Sequence, residues 1–250
     1  MFGSGAAGAR ARGALDPRRD GPLNINSDLG EGVGFDAEIL PYIDSANVGC
    51  GVHAGSATEV VATVRRCREL GVEVGAHPGY DDRPNFGRLE IELSVDELAD
   101  LVRFQVGALA AVAPIAYIKA HGALYHYCQS RPPMADALAL VAREFETGLM
   151  GQPGFEIVAA AERAGVPAFR EGFADRAYLP DGNLMPRSQS GAVLPPEQAA
   201  EQALRFAREE RFDTICLHGD SPGAPQVARA IREALKAEGI GTRHLKTGPR

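Results

Sequence analysis

Leu23-Asn24-Ile25-Asn26-Ser27-Asp28-Leu29-Gly30-Glu31-Gly32 is the stretch on which the fold turns: a short extended run ends in a carboxylate and opens at once into a glycine-bearing loop. The same arrangement returns along the chain. Strand candidates at Leu23–Ser27, Ala46–Gly51, Val72–Ala76, Ile115–Lys119, Gly148–Gly151, Pro167–Glu171 and Thr214–His218 alternate with helical patterns. Thr58–Leu70 places Val61, Val64 and Leu70 near one face, and Ser94 with Glu97 forms a capping box that opens a helix reaching Ala113. Further helices are predicted at Met134–Glu146, Phe155–Ala164, Pro196–Glu210 and Pro225–Ala237, two of them with proline in the favoured first turn. Such alternation implies parallel strands with helical crossovers, which leaves an open doubly wound sheet or a closed barrel.

The polar residues choose between the two. Asn26 and Asp28 follow the first strand, His53 the second, His77 the third, Lys119 and His121 the fourth, Asp175 and Arg176 the sixth, and His218 and Asp220 the last. In a barrel the carboxyl ends of all strands meet at one mouth, whereas an open sheet spreads them along an edge. The expected fold is therefore α/β, an irregular, TIM-like (β/α) barrel of seven strands that forms one domain over residues 23–250.

Composition narrows the function classes. Twenty-six basic and 33 acidic side chains give a net charge of −7, which disfavours a nucleic-acid groove or an anionic membrane surface as partner. The longest apolar stretch, Val106 to Tyr117, is broken by Pro114 and is far shorter than the roughly 20 residues that span a bilayer. Residues 1–22 hold four Arg, two Asp and many Gly and Ala, without the apolar run of a secretory signal; a disordered tail is expected there. The four cysteines, Cys50, Cys67, Cys128 and Cys216, stand singly, which suits a reducing cytoplasm. Cys50 and Cys216 read as small buried hydrophobes, and Cys128 as a loop residue. The one G-x-G-x-x-G match, Gly3 to Gly8, follows no strand, and there is neither a Walker-type loop nor a G-x-S-x-G elbow.

Four histidines begin or occupy glycine-bearing loops: His53-Ala54-Gly55, His77-Pro78-Gly79, His121-Gly122 and His218-Gly219. Imidazole suits proton transfer at neutral pH, and glycine lets backbone approach a ligand. One such histidine would read as structural; four at successive strand ends, with carboxylates nearby, read as a polar active site. Asp28 could serve as a general base or a metal ligand, and Glu31 as either or as a turn residue. Lys119 ends an apolar strand, where a lone ammonium is costly to bury, and so is suited to a carboxylate or a developing oxyanion. Arg88, Arg176 and Arg187 offer forks for carboxylate or phosphate, although Asp175 beside Arg176 could equally form a structural ion pair. Asp28, His53 and His77 would make a three-ligand set for a divalent metal.

Taken together, these loops resemble the LamB/YcsF family. The resemblance rests on Asp28 with Leu29-Gly30-Glu31-Gly32, Ser45-Ala46-Asn47-Val48 leading to Cys50-Gly51-Val52-His53-Ala54-Gly55, and Gly75-Ala76-His77-Pro78-Gly79-Tyr80. It continues through Phe86-Gly87-Arg88, Lys119 with His121-Gly122-Ala123-Leu124-Tyr125, Phe173-Ala174-Asp175-Arg176, and Cys216-Leu217-His218-Gly219-Asp220. It implies a seven-stranded barrel related to the polysaccharide deacetylase and glycoside hydrolase-deacetylase group. It also implies a role as the A-type component of an ATP-dependent 5-oxoprolinase, which opens 5-oxo-L-proline, a small anionic lactam, to glutamate with two partner subunits of B and C type that largely handle ATP. In that scheme Asp28, His53, Lys119 and His121 are catalytic, and Glu31, His77, Arg88, Asp175, Arg176, Arg187, His218 and Asp220 contact the substrate. Departures from the family pattern at Asn24 and Ser56, each usually Asp, at Ala120, usually Pro, and at Gly172, usually branched, are expected near the site. Two other readings stay open: a stand-alone metal-dependent amide hydrolase or deacetylase, and a non-catalytic ligand-binding paralogue.

Overall fold

A computed structural model describes residues 23–221 and 223–245; the tail expected at residues 1–22 lies outside them. Strand β1 (Asn24–Leu29) is followed by a short helix α1 (Asp36–Ile39), β2 (Ser45–Gly49) by α2 (Ala57–Leu70), and β3 (Glu73–His77) by α3 (Val95–Ala110). Next come β4 (Tyr117–Ile118), α4 (Gly122–Gln129), α5 (Pro132–Glu144), β5 (Gly148–Gly151), α6 (Glu156–Ala164) and β6 (Ala168–Phe173). A long loop leads to α7 (Pro196–Arg208), and β7 (Thr214–Leu217) and α8 (Ala224–Ala237) complete the set. All neighbouring strands pair in parallel, and β7 returns to β1 to close a seven-stranded barrel.

Three local expectations change in ways that bear on the site, and β6 also runs two residues past its expected end. β1 runs two residues further than its apolar pattern, so Asp28 lies within the strand, and β4 shrinks to two residues. The third is α4, which carries no start signal because its N-cap, His121, makes no side-chain cap. Packing of Leu124, Tyr125, Tyr127 and Cys128 into the core holds this helix instead, so Cys128 is a buried helical residue rather than a loop residue.

Apolar burial lies between the strands and the outer helices, where Ile25, Leu29, Val48, Ile118 and Ile215 join Val64, Leu98, Val102, Leu138 and Ile231 in one core. The barrel interior is different, for it is polar where such barrels are usually filled by branched aliphatics. Asn24 Oδ1 accepts from Ser45 Oγ at 2.7 Å and from Thr214 Oγ1 at 2.8 Å. Above it, Asn26 Nδ2 donates to Thr214 Oγ1, Asn47 Nδ2 donates to Asn26 Oδ1 and to Asp28 Oδ1, and Tyr117 Oη donates to Asn47 Oδ1, each at 2.7 Å. The period of two in β1 thus becomes a ladder of side chains that climbs to Asp28.

Of the departures expected near the site, Ala120 lies between Lys119 and His121 among the residues that line the pocket, and Asn24, Ser56 and Gly172 fall elsewhere. Asn24 begins β1, at the opposite end of the strand from Asp28. Ser56 caps α2 in a reciprocal capping box with Glu59, a role aspartate fills equally well. A Cβ at Gly172 would come within 2.8 Å of Phe206 and 3.0 Å of Phe212, so the glycine makes room for those rings.

At the foot of β3, burial first and then Asp44 push the Glu73 carboxyl up to about 7, against the backbone hydrogen bond it accepts from Leu245. The folded state therefore binds an extra proton between the usual carboxylate range and pH 7, and stability falls as pH rises through that window. Glu73→Gln keeps an acceptor for Leu245 N and should flatten this part of the pH profile, with a gain on the order of 2 kcal/mol above pH 7 in denaturant titrations.

Candidate active site at the carboxyl end of the barrel

A pocket of about 510 Å³ opens at the carboxyl ends of the strands. Asp28, His77, Lys119 and His121 line it together with Tyr125 and Phe173, while Arg88, Arg176, Arg187 and His218 surround its upper part. The strand-end rule thus brings eight of the twelve expected site residues to one cavity.

At the floor, Lys119 is the hub. It is 2% exposed, and its Nζ stands 3.1 Å from Asp28 Oδ1, 3.0 Å from Glu171 Oε2 and 3.0 Å from Cys216 Sγ. Burial would discharge the ammonium, but Asp28, Cys216 and Glu171 more than offset this and keep its pKa well above the usual lysine value. Burial likewise opposes the charge on Asp28, yet Lys119 and then His77 hold its carboxyl well below the usual range. Charge balance on the floor is therefore fixed by one cation between two carboxylates. Glu171 was missed by sequence reasoning; the available signal was a carboxylate between Phe169 and Phe173 on a strand whose alternate residues face inward. Cys216 is buried as expected, but it faces the ammonium rather than an apolar neighbour.

Glu31 and His53 lie behind the floor. His53 is wholly buried, with Nε2 at 3.0 Å from Glu31 Oε1, and its ring stacks on that of His121 with centroids 3.9 Å apart and planes 12° apart. Burial pushes His53 down to about 4, so its ring is neutral at pH 7. Burial would raise Glu31, yet its contacts with His121 and His53 draw it below the usual carboxylate range. The atoms of Asp28, His53 and His77, the ligand set expected from sequence, do not share one compact cluster. Among the described residues, the group whose ligating atoms all lie within 4.8 Å of one another is Glu31, His53 and His121.

On the wall, Asp175 grips His218 twice: its carboxylate faces Nδ1 at 3.0 and 3.1 Å and accepts the His218 backbone N–H at 3.0 Å. The imidazole is stacked on Phe173 with centroids 5.4 Å apart. With Nδ1 fixed by the carboxylate, Nε2 of this pocket-lining ring is the atom left for a ligand. Asp175 therefore does not pair with Arg176. That guanidinium donates to the carbonyls of Ala192, at 3.1 Å, and Met185, at 2.6 Å, and so ties down the loop between β6 and α7.

At the mouth, Arg88 and Arg187 meet on one carboxylate. Arg88 Nη2 is bonded to Asp220 Oδ2, and Arg187 Nη1 lies 3.2 Å from the same oxygen. These two arginines are 40% and 31% exposed at their side chains, and among the described residues Asp220 is the carboxylate that pairs with both.

The described helices include none long and apolar enough to cross a membrane. The LamB/YcsF family model matches residues 23–249. A curated relative from Nocardia farcinica, named as the A component of 5-oxoprolinase, is 42% identical over 243 residues, covering 88% of this chain and 97% of that protein. The crystal structure of a lactam utilization protein from Thermus thermophilus is similar at 39% identity and a TM-score of 0.83, covering 89% of this chain and 99% of that one. A family 4 carbohydrate esterase from Streptomyces lividans, at 10% identity and a TM-score of 0.55 over 92% of this chain and 95% of that one, shares the fold.

Proposed function

Since the chain belongs to the LamB/YcsF family, we propose that it is the A-type component of an ATP-dependent 5-oxoprolinase, opening 5-oxo-L-proline to glutamate with B- and C-type partners that handle ATP. The observation that carries this reading is the mouth of the pocket, where two arginines share one internal carboxylate above a small, partly aromatic chamber. A substrate carboxylate takes the position Asp220 now offers to Arg88 and Arg187, because a guanidinium binds either carboxylate with the same fork.

A five-membered lactam is a stable amide, and ATP supplies what water alone lacks. Transfer of the γ-phosphoryl group to the lactam oxygen, with ADP leaving, makes the ring carbon an electrophile. Water adds to that carbon and gives its proton to His218 Nε2. The C–N bond breaks as the ring nitrogen is protonated, and a second water releases phosphate, which completes glutamate. Within this scheme Asp175 orients His218, Lys119 holds Asp28 ionised at the floor, and Arg176 keeps the loop that carries Arg187 in place. Asn24 and Ser56, which motivated the non-catalytic reading, both lie outside the pocket lining, and the charged set inside the pocket is intact.

The test uses the reassembled complex and two substrates. Arg187→Ala and Arg88→Ala should each raise KM for 5-oxo-L-proline roughly 10- to 100-fold, with a smaller change in kcat. Pyrrolidin-2-one, which lacks the carboxylate, should show a high KM that neither variant changes. Equal effects on both lactams would remove the arginines from carboxylate recognition.

A further inference from the structure

We propose that Glu31, His53 and His121, with His77 Nε2 facing them, form a binding site for one divalent cation of the zinc class, set just behind the pocket floor. The hydrogen-bond partners fix which ring nitrogens carry protons. His77 Nδ1 faces the Lys119 carbonyl at 2.8 Å, and His121 Nε2 faces the Phe86 carbonyl at 2.8 Å. A carbonyl can only accept, so both of these nitrogens are N–H donors. In the neutral rings His77 Nε2 and His121 Nδ1 are then bare lone pairs.

Those two lone pairs face one another at 3.1 Å. Glu31 Oε1, also an acceptor, lies 3.0 Å from His121 Nδ1, 3.8 Å from His77 Nε2 and 3.0 Å from His53 Nε2. His77 Nε2, His121 Nδ1 and Glu31 Oε1 therefore converge as three acceptors with no N–H between them when the two rings are neutral, an arrangement that repels itself unless a cation stands there. The spacing suits a metal. Zinc at about 2.0–2.1 Å from tetrahedral nitrogen and oxygen ligands sets neighbouring ligand atoms about 3.3 Å apart, inside the observed range. The carbonyls on His77 and His121 are the outer partners that fix a ligating imidazole.

The surrounding backbone is shaped for the rings. A Cβ at Gly79 would lie 2.7 Å from His53 Nδ1, and one at Gly87 would lie 2.9 Å from His53 Cβ and 3.0 Å from His121 Cδ2. Phe86, whose carbonyl fixes His121, adopts φ +57, a left-handed conformation that a bulky side chain rarely takes. His53 Nδ1 is buried with no hydrogen-bond partner among the described residues. Asp28, whose Oδ1 stands 3.5 Å from His77 Nε2, is not a member of the set, because its carboxylate already receives Lys119 and Asn47. When bound, such a cation supplies Lewis-acid charge beside His77 and His121, where a carbonyl oxygen or water enters the pocket. The site depends on its four side chains and not on which lactam the pocket takes.

The experiment loads the full, chelator-treated chain with Co²⁺ and follows visible absorption, thermal melting and metal content by elemental analysis. One equivalent should bind, produce ligand-field bands of a nitrogen-oxygen site, and raise the melting temperature; Zn²⁺ should displace it. Glu31→Gln and His121→Ala should each weaken binding at least tenfold, while His126→Ala, an exposed histidine outside the cluster, should leave it unchanged. Chelation followed by one equivalent of Zn²⁺ should lower and then restore the melting temperature of the unmutated chain, a reading that needs no variant to fold. Absence of stoichiometric metal, no Co²⁺ bands, or equal binding by Glu31→Gln and His126→Ala would overturn the proposal and assign the charge between these acceptors to a proton.

Discussion

Lys119→Ala should abolish turnover and lower the unfolding free energy by about 3–5 kcal/mol, the cost of removing one partner from a buried ion pair. The size follows from its position. Lys119 Nζ is within 3.1 Å of both Asp28 and Glu171, and Asp28, Glu171 and Lys119 are all essentially shut off from solvent. Without the ammonium two carboxylates share one buried space, and at least one must take up a proton. For a chain of this size a loss of that order corresponds to a melting temperature about 10 °C lower. The pH dependence gives the sign. In the unmutated chain Asp28 sits below its ordinary pKa and adds stability that is lost as pH falls through the folded value. In Lys119→Ala the carboxylates are raised instead, so stability is lost as pH rises, and the gap between the two proteins should narrow toward about pH 5. Lys119→Met, which refills the volume without the charge, should recover packing but not turnover. Equal stability of Lys119→Met and the unmutated chain at about pH 8 would mean that the floor carboxylates are not held ionised by this residue.

His218→Ala should lower kcat by roughly 10²- to 10⁴-fold, the usual contribution of a positioned general base, with a small effect on KM. Asp175→Asn tests the same unit through its orienting partner. The amide can donate toward Nδ1 where the carboxylate can only accept, which favours the imidazole form with its proton on Nε2, facing the ligand. A loss of similar size is expected, and the double variant should be little worse than either single one, because residues that act as a unit are not additive. His218 is part-exposed at the pocket wall rather than in the core, so thermal melting should change little beside the loss of turnover. A full additive loss in the double variant would separate the two residues into independent roles.

The outline of the barrel was readable from the sequence because each strand but the fifth announces itself twice, once by its apolar run and once by the polar residue that ends it. Gly148–Gly151 emerged with its expected bounds, and Ser94 opens α3 through the capping box its spacing with Glu97 implied. What sequence could not show was how each charge is partnered. Arg176 and Arg187 look alike as loop arginines, yet one is tied to two loop carbonyls and the other reaches Asp220 at the mouth. Asp175 sits beside Arg176 in the chain and bonds His218 from another strand's end. α4 was hidden because burial of its aromatic face, rather than local capping, makes it helical. The interior ladder from Asn24 to Asp28 is visible as alternating polar residues only once the strand is known to close a barrel, since the same pattern fits a solvent-facing edge.

Reconstitution decides whether this chain is part of a lactam-opening complex: the purified chain is combined with its B- and C-type partners, 5-oxo-L-proline and ATP, and glutamate and phosphate are measured together. Glutamate formation should need this chain, the lactam and ATP at once, with one phosphate released per glutamate and loss of both products in His218→Ala. Lactam-independent ATP hydrolysis that is unchanged when this chain is omitted, with no glutamate formed, would contradict it.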